Sequence, residues 1–321
     1  MTRPRIRPAV WGAVATGAVL ALTLSACGGG PSAPQPGETS SGGASSTIPD
    51  TTSLLAGVKE DDALASSVPS DIAKKGTLAV GSFVQSAPNN FYAADGSTVI
   101  GSDHDLITAV AKKLGLDVEY KNQDFGSLIT SLQSGRIDVT IAAMNDTAER
   151  QKAIDFVDYL TSGITLMVQK GNPAKITGPD GLCGKSIAVV TGTSQQEFAE
   201  ATSKQCTADG KDALKVTVTD SDSQNQTQLR TGRIDAIVND LPSAVYISKT
   251  TQDGKAFEVV PGDVIDGAPY GIGVNKDDAE LRDAIAKGLD SLIDDGTYGK
   301  VLDAWGITSG SVSKAVVNGG K

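Results

Sequence analysis

Apolar positions along this chain alternate between two rhythms. The stretch "DIAKKGTLAVGS" from Asp71 reads as a short helix followed by a strand from Thr77 to Val80. Leu106, Ile107, Val110, Ala111 and Leu114 then recur at three- and four-residue intervals. That is the stripe of an amphipathic helix, which Gly115 ends before a strand from Asp117 to Tyr120. Leu128, Ile129 and Leu132 mark a second helix, and "RIDVTIAAM" a buried strand from Ile137 to Met144. Helix and strand in turn predict an α/β fold with parallel sheets, whose ligands lie in a crevice at the carboxyl ends of the strands.

One phrase is written twice. "LQSGRIDVTIAAMND" from Leu132 and "LRTGRIDAIVNDLPS" from Leu229 share a helix end, a glycine, the letters "GRID" and a strand, with identical spacing. At 321 residues the chain is long enough for two compact lobes, and the repeat places one such unit in each. Matching the copies sets Asp240 opposite Ala143, each at the carboxyl end of its strand, so that the two crevices face each other. Chance recurrence within an ordinary α/β chain is the alternative.

The N-terminal part follows neither rhythm. Arg3, Arg5 and Arg7 precede an uncharged apolar run from Ala9 to Leu24, and "LSAC" ends at Cys27, so residues 1–26 read as a secretory signal. The run falls short of the roughly 20 apolar residues that a spanning helix needs. Residues 28–52 hold almost no large apolar side chain and cannot bury enough surface to fold. Counted as 27–67, they form a flexible tether with an end-to-end span on the order of 35 Å. Removing residues 1–26 takes away three arginines and no acid, moving the formal charge from −10 to −13, which makes nucleic acid a poor partner. Apart from Cys27, the cysteines are Cys183 and Cys206, and in an exported chain such a pair is expected to be a disulfide, with a free buried thiol pair as the alternative. A strand "KSIAVV" running out and a helix "SQQEFAEATSKQ" running back bring the two together.

Charge marks the crevice. After the first repeat, "NDTAERQKAIDF" has Asp146 and Glu149 at the spacing of a capping box, so a helix is expected to start there, with free amides toward the crevice. Arg150, one turn in, offers a planar fork that matches a carboxylate. On the other lobe Asp240 ends an otherwise apolar strand and needs a cationic partner. A guanidinium facing a carboxylate would clamp the two charged ends of a free α-amino acid. Two plainer readings stand beside this one: Arg150 paired with Asp155, and Asp240 capping the helix that begins at Pro242 and Ser243.

From Thr77 to Gly306 the chain resembles the extracellular solute-binding proteins of polar amino-acid ABC importers. The phrases "FYAADG", "GSDHDLITAVAKKLGL", "LITSLQSGRIDV", "TAERQKAIDFVDYL", "LCGKSIAVVTGTSQQE", "GRIDAIVNDLPSA" and "LIDDGTYGKVLDAWG" carry the likeness in order. The resemblance implies a two-lobed periplasmic-binding type II fold with two hinge crossings, placed near Gly163–Val168 and Tyr270–Val274. Lobe 1 would be residues 68–164 and 270–308, lobe 2 residues 165–269, with a C-terminal tail at 309–321. It also implies that Arg150 binds the ligand carboxylate, Asp240 its ammonium, Ser194 the carboxylate through its backbone amide, and Ala143 the ammonium through its carbonyl. Phe125 would pack on the ligand. Asn145 stands where a serine or threonine is usual, Asn89 where a stacking phenylalanine is usual, and Ser102 replaces the phenylalanine of a common "GFD" phrase. The family resemblance also implies an ABC permease as partner and a monomeric body, and "LSACGG" resembles a bacterial lipobox, which implies lipidation of Cys27 and anchorage at the extracytoplasmic face of the cell membrane.

The ligand is expected to be a polar L-amino acid, given Asn89, Asn145 and Asp146 near the pocket. Rival classes are a sensor or scavenging binder and, on the same fold, an enzyme like the cyclohexadienyl dehydratases. Catalysis has little to draw on: His104, the sole histidine, sits in a turn leading into a helix, no Ser-His-Asp set exists without it, and no cysteine spacing fits a metal site. No cofactor is implied.

Overall fold

The computed structural model describes residues 48–321; the expected signal peptide, Cys27 and most of the expected tether lie outside them. In chain order the described residues form α1 (Thr52–Gly57), α2 (Asp62–Ala65), α3 (Ser70–Lys75), β1 (Thr77–Ser82), β2 (Phe91–Tyr92), β3 (Val99–Ile100), α4 (Ser102–Lys113), β4 (Asp117–Asn122), α5 (Leu128–Gln133) and β5 (Val139–Thr140). There follow β6 (Ile154–Gln169), β7 (Ser186–Val190), α6 (Ser194–Ala208), β8 (Lys215–Thr219), α7 (Asp222–Arg230), β9 (Ala236–Asp240), α8 (Leu241–Thr250) and β10 (Phe257–Val259). The chain continues through β11 (Ile265–Asn275), α9 (Ala279–Asp294), α10 (Thr297–Trp305) and β12 (Val316–Val317).

Two lobes share the long strands. In the first, β1 lies between β4 and β5, parallel to both, and β5 adds to β11 in antiparallel fashion. In the second, β7 lies between β8 and β9, parallel to both, and β9 adds antiparallel to β6. The repeated phrase therefore supplies β5 and β9, which hold the same place in their respective sheets. Its conserved letters have a common task. Gly135 and Gly232 take left-handed φ values of 67° and 69° as the preceding helices end. Three residues on, the Asp138 carboxylate accepts from Ala79 N at 2.7 Å, and the Asp235 carboxylate from Ser186 N at 2.8 Å. Each aspartate thus locks the start of one parallel strand to its neighbour.

The antiparallel pair β6 and β11 carries the chain between lobes. Phe156, Val157, Tyr159 and Leu160 belong to the first lobe's core, whereas Ile164, Leu166 and Val168 belong to the second's. On β11, Ile265 packs against the second core and Tyr270, Ile272 and Val274 against the first. The crossings therefore fall close to residues 161–163 and 266–269, somewhat before the positions expected from sequence. Both strands stay apolar on either side of the change of lobe, so hydropathy does not mark it. Gly163 does: a side chain there would meet Val264 and Ile265 O on the facing strand.

Part of the expected linker and of the expected C-terminal tail packs on the first lobe. Leu54, Leu55, Val58 and Leu64, counted in the tether, pack against the first lobe's core, and Asp61 caps α2 through Ala63 N and Leu64 N. Residues 309–321, expected as a tail, place Val312 and Ala315 against the same core and add β12 to β6. In both places a few aliphatic side chains in a polar stretch find an apolar surface supplied by α4, α9 and α10. Cys183 and Cys206 form the expected disulfide, with an S–S distance of 2.07 Å, tying the loop before β7 to the end of α6.

Candidate functional site

The cavity between the lobes is lined from lobe 1 by Phe83, Ser86, Phe125, Ala143 and Asn145, and from lobe 2 by Ser194, Gln195, Asp222, Asn239 and Asp240, among others. Its place, at the carboxyl ends of β1, β5, β7 and β9, is the one alternating helix and strand predict.

Each wall is built from short-range geometry. Beyond β5 the chain leaves its ladder early, so the strand expected from Ile137 to Met144 is paired only at Val139 and Thr140. Ala143 then takes a left-handed φ of 48°. Asp103 at the start of α4 holds that turn: its Oδ2 accepts from Ala143 N at 2.8 Å and from Asn90 Nδ2 at 2.9 Å, while its Oδ1 accepts from Tyr159 Oη at 2.8 Å. Burial pushes its carboxyl up to about 6, against these three donors.

Asp146 does not cap a helix. A single 3-10 turn, Arg150–Lys152, stands where the capping-box spacing predicted a helix, and Asp146 accepts instead from Gln151 Nε2 and from Gly320 N. The interaction that defeats the local signal comes from the far end of the chain. Arg150 nonetheless lies beside the cavity and buried. Its Nη1 donates to Asn145 O at 2.9 Å and its Nη2 to Gly192 O on the opposite lobe at 3.2 Å, with the guanidinium 5.6 Å from the centre of the Phe125 ring. Burial lowers its pKa, against the pull of Glu197, Asp240 and Asp146. The plainer pairing with Asp155 does not form, because Asp155 is held by Arg282, Lys276 and Asn318.

Across the cavity Asp240 occupies the N-cap position of α8 without a side-chain cap hydrogen bond. Its Oδ1 is buried and has no hydrogen-bond partner among the described residues. Burial pushes this carboxyl up to about 7, opposed first by the nearby Tyr270 hydroxyl, which lies short of a well-formed hydrogen bond, then by the Arg150 charge and by Gln195, with Asp222 adding to the rise. An acceptor left in that condition is costly unless a donor reaches it.

Ser194 opens α6 after its cap Thr193, and its Oγ donates to Asn145 Oδ1 across the cleft at 2.7 Å. Phe125 sits edge-on to Phe83, with ring centres 6.3 Å apart. Asn89 departs from its expected role. It lies outside the cavity lining, where its Nδ2 donates to Ser243 Oγ on the other lobe at 3.3 Å and its Oδ1 accepts from Ser102 Oγ at 3.4 Å. Together with Ser221 Oγ donating to Gln85 Oε1 and Phe91 packing on Tyr246, these contacts hold the lobes closed. The cavity has about 40 Å³ of free space, room for only a few waters. His104 stands apart, its ring against Tyr120.

Sequence reasoning missed Asp222, which lines the cavity at the first residue of α7. Its Oδ1 accepts from Asn239 Nδ2 and its Oδ2 from Gln226 Nε2, and burial pushes it up to about 6. The signal available was "DSDSQNQ": an acid at a helix start just after a strand whose carboxyl end faces the crevice.

Residues 78–308 match the model of the bacterial extracellular solute-binding proteins, family 3. Over 252 residues the chain is 30% identical to the arginine-binding protein ArgT of Corynebacterium glutamicum, covering 78% of this chain and 81% of that one. It is likewise 30% identical over 253 residues to the L-cystine-binding protein TcyJ of Escherichia coli strain K12, covering 78% and 91%. Among solved structures, an ancestral arginine-binding protein bound to arginine aligns with a TM-score of 0.66 at 37% identity, over 72% of this chain and 98% of that one. These relatives are binding proteins rather than enzymes. With two lobes on shared strands, a cleft between them and a family match across that body, the chain belongs to the bacterial extracellular solute-binding proteins, family 3.

Proposed function

We propose that this chain captures a free L-α-amino acid with a cationic side chain outside the membrane and delivers it to an ABC-importer permease, the lobes closing over it. One arrangement carries the reading: Asp240 lines the cleft from lobe 2 with its Oδ1 buried and without a hydrogen bond, and Arg150, itself outside the lining, adjoins it on lobe 1 through Asn145 O and Phe125 and reaches Gly192 O on lobe 2. A zwitterion places its carboxylate on the first and its ammonium on the second, so only the closed form supplies both contacts. Asp222 extends this to the side chain. Once the ligand backbone neutralises Arg150 and Asp240, a second buried carboxylate still lines the cavity, and a ligand cation is the cheapest way to keep it ionised. The likeness to the arginine-binding protein ArgT supports this reading, since arginine carries a guanidinium on its side chain.

Calorimetry against arginine, lysine, cystine, citrulline, glutamine and leucine tests both halves. Arginine is expected to bind at least about tenfold more tightly than its neutral isostere citrulline, and Asp222→Asn to erase that difference. Equal affinity for arginine and citrulline in the unaltered protein would sink the cationic assignment. Preference for leucine over every polar amino acid would sink the polar one as well.

The anchor is part of the same proposal. Residues 1–26 direct export, Cys27 receives lipid, and the stretch after it holds a monomeric body off the membrane surface. The unaltered protein should enter the detergent phase on Triton X-114 partition and Cys27→Ala protein the aqueous phase. A Cys27→Ala variant that stays membrane-attached contradicts lipidation.

A further inference from the structure

The chain beyond residue 308, outside the stretch that matches the family, is fastened at successive points. Val312 N donates to Tyr298 Oη at 2.9 Å and Ala315 N to Asp290 Oδ1 at 2.7 Å. Strand β12 then pairs with Val157 and Asp158 on β6, on the edge that β9 takes further along. Past it, Asn318 Oδ1 accepts from Phe156 N at 2.8 Å, and Asn318 Nδ2 donates to Asp155 Oδ1 at 3.0 Å. Gly319 N donates to Asp158 Oδ2 at 3.1 Å and Gly320 N to Asp146 Oδ2 at 2.8 Å. Gln151 Nε2 bridges Asp146 Oδ1 at 2.8 Å and Gly320 O at 3.1 Å.

These last contacts grip both sides of one residue. Asp146 follows Asn145, whose carbonyl accepts from Arg150, and Gln151 follows Arg150 itself. The segment is pinned at its start by the bridge of Asn145 to Tyr270 and by Asp146 N donating to Pro269 O, and beyond that it forms only a 3-10 turn, so the shape of residues 147–152 depends on what touches them. The approach is close enough to require glycine: a side chain at 320 would overlap Asp146 O, and one at 319 would press on Asp158 Oδ2. We propose that the C-terminal segment, Val312 to Gly320, is a clasp that positions Arg150 for the ligand carboxylate. Its consequence for affinity rests on the proposed function; its grip on the loop does not.

The clasp closes on two neighbouring acids. No cation is hydrogen-bonded to Asp146 or Asp158 among the described residues, and Asp158 Oδ1 is buried without a partner. Around them, Lys276 and Arg282 are taken up by Asp155, Lys152 by Glu149, and Arg150 by the carbonyls of Asn145 and Gly192; Tyr159 and Tyr270 stay neutral. Burial and then the charge of Asp146 push Asp158 up to about 7. The Gly319 N–H works against that rise, so the tail supplies the donor that the crowded pair of acids lacks.

Hydrogen exchange on ligand-free protein tests the grip directly. Deleting Asn318–Lys321, or introducing Gly320→Val, should speed exchange of the amides in residues 144–152 by about tenfold or more and leave β7 unchanged. With L-arginine as probe, both tail variants should bind roughly tenfold more weakly. Unchanged protection of residues 144–152 in both tail variants would overturn the clasp. Failure of the unaltered protein to bind any amino acid would overturn only the proposed ligand, since exchange is read without it.

Discussion

Arg150→Ala is expected to weaken amino-acid binding by between about thirtyfold and several thousandfold, the range that corresponds to losing roughly 2–5 kcal/mol when one partner of a buried charged pair is removed. The size follows from what the guanidinium touches. It is buried, braced by Asn145 O within its own lobe, held over Phe125, and joined to Gly192 O across the cleft. Alanine therefore removes the donor for the ligand carboxylate and a contact that favours the closed lobes. Arg150→Lys keeps the charge but not the planar fork, and should fall between the two. Lys121, part-exposed and paired with Glu119 at the surface, is the control, and its alanine variant should bind as the unaltered protein does. Calorimetry with L-arginine reads all three, and an Arg150→Ala protein of undiminished affinity would remove the clamp from the account.

Much of this arrangement was legible in the sequence, and the reasons are specific. The "GRID" repeat was visible because each copy needs the same glycine to end a helix and the same aspartate to lock two parallel strands, so local chemistry repeats as letters. Asp240 stands out as a charge ending an apolar strand, and Arg150 as a guanidinium one turn beyond the capping-box spacing that follows the first repeat. What was not legible depends on distant partners. The Asp146–Glu149 spacing is a sound helix signal, overridden by a hydrogen bond from Gly320, far along the chain. Asn89 was assigned to the pocket from its place in a familiar phrase, yet it turns toward Ser243 on the other lobe. Asp222 looked like an ordinary acid in the first turn of a helix, and only the meeting of the lobes shows that it faces the cleft. The lobe crossings are hard to place from sequence because β6 and β11 carry apolar residues into both cores.

Asp240 should make binding depend on pH in a direction opposite to the stability of the protein without ligand. Without ligand, burial holds its carboxyl up at about 7, above the ordinary aspartate value of about 3.9. Folding therefore favours its protonated form, and on this account stability is fully present below about pH 4 and declines as pH rises through about 7. Binding works the other way. The ligand ammonium brought to Oδ1 favours the carboxylate, so below about pH 7 each binding event must release a proton. Affinity should fall as pH drops from about 7 to 5, by up to about tenfold per pH unit where release is complete. Calorimetry at pH 6 in two buffers of different ionisation enthalpy reads that proton as a difference in apparent binding enthalpy. Asp240→Asn should remove this limb of the pH profile and lower affinity at pH 8 by about thirtyfold or more, because the amide offers no charge to the ammonium. Asp222, raised only to about 6, would then govern what pH dependence is left, and it would do so for arginine but not for citrulline. Proton uptake on binding at pH 6, or an affinity that does not change from pH 5 to 8, would show that Asp240 is not the ammonium's partner.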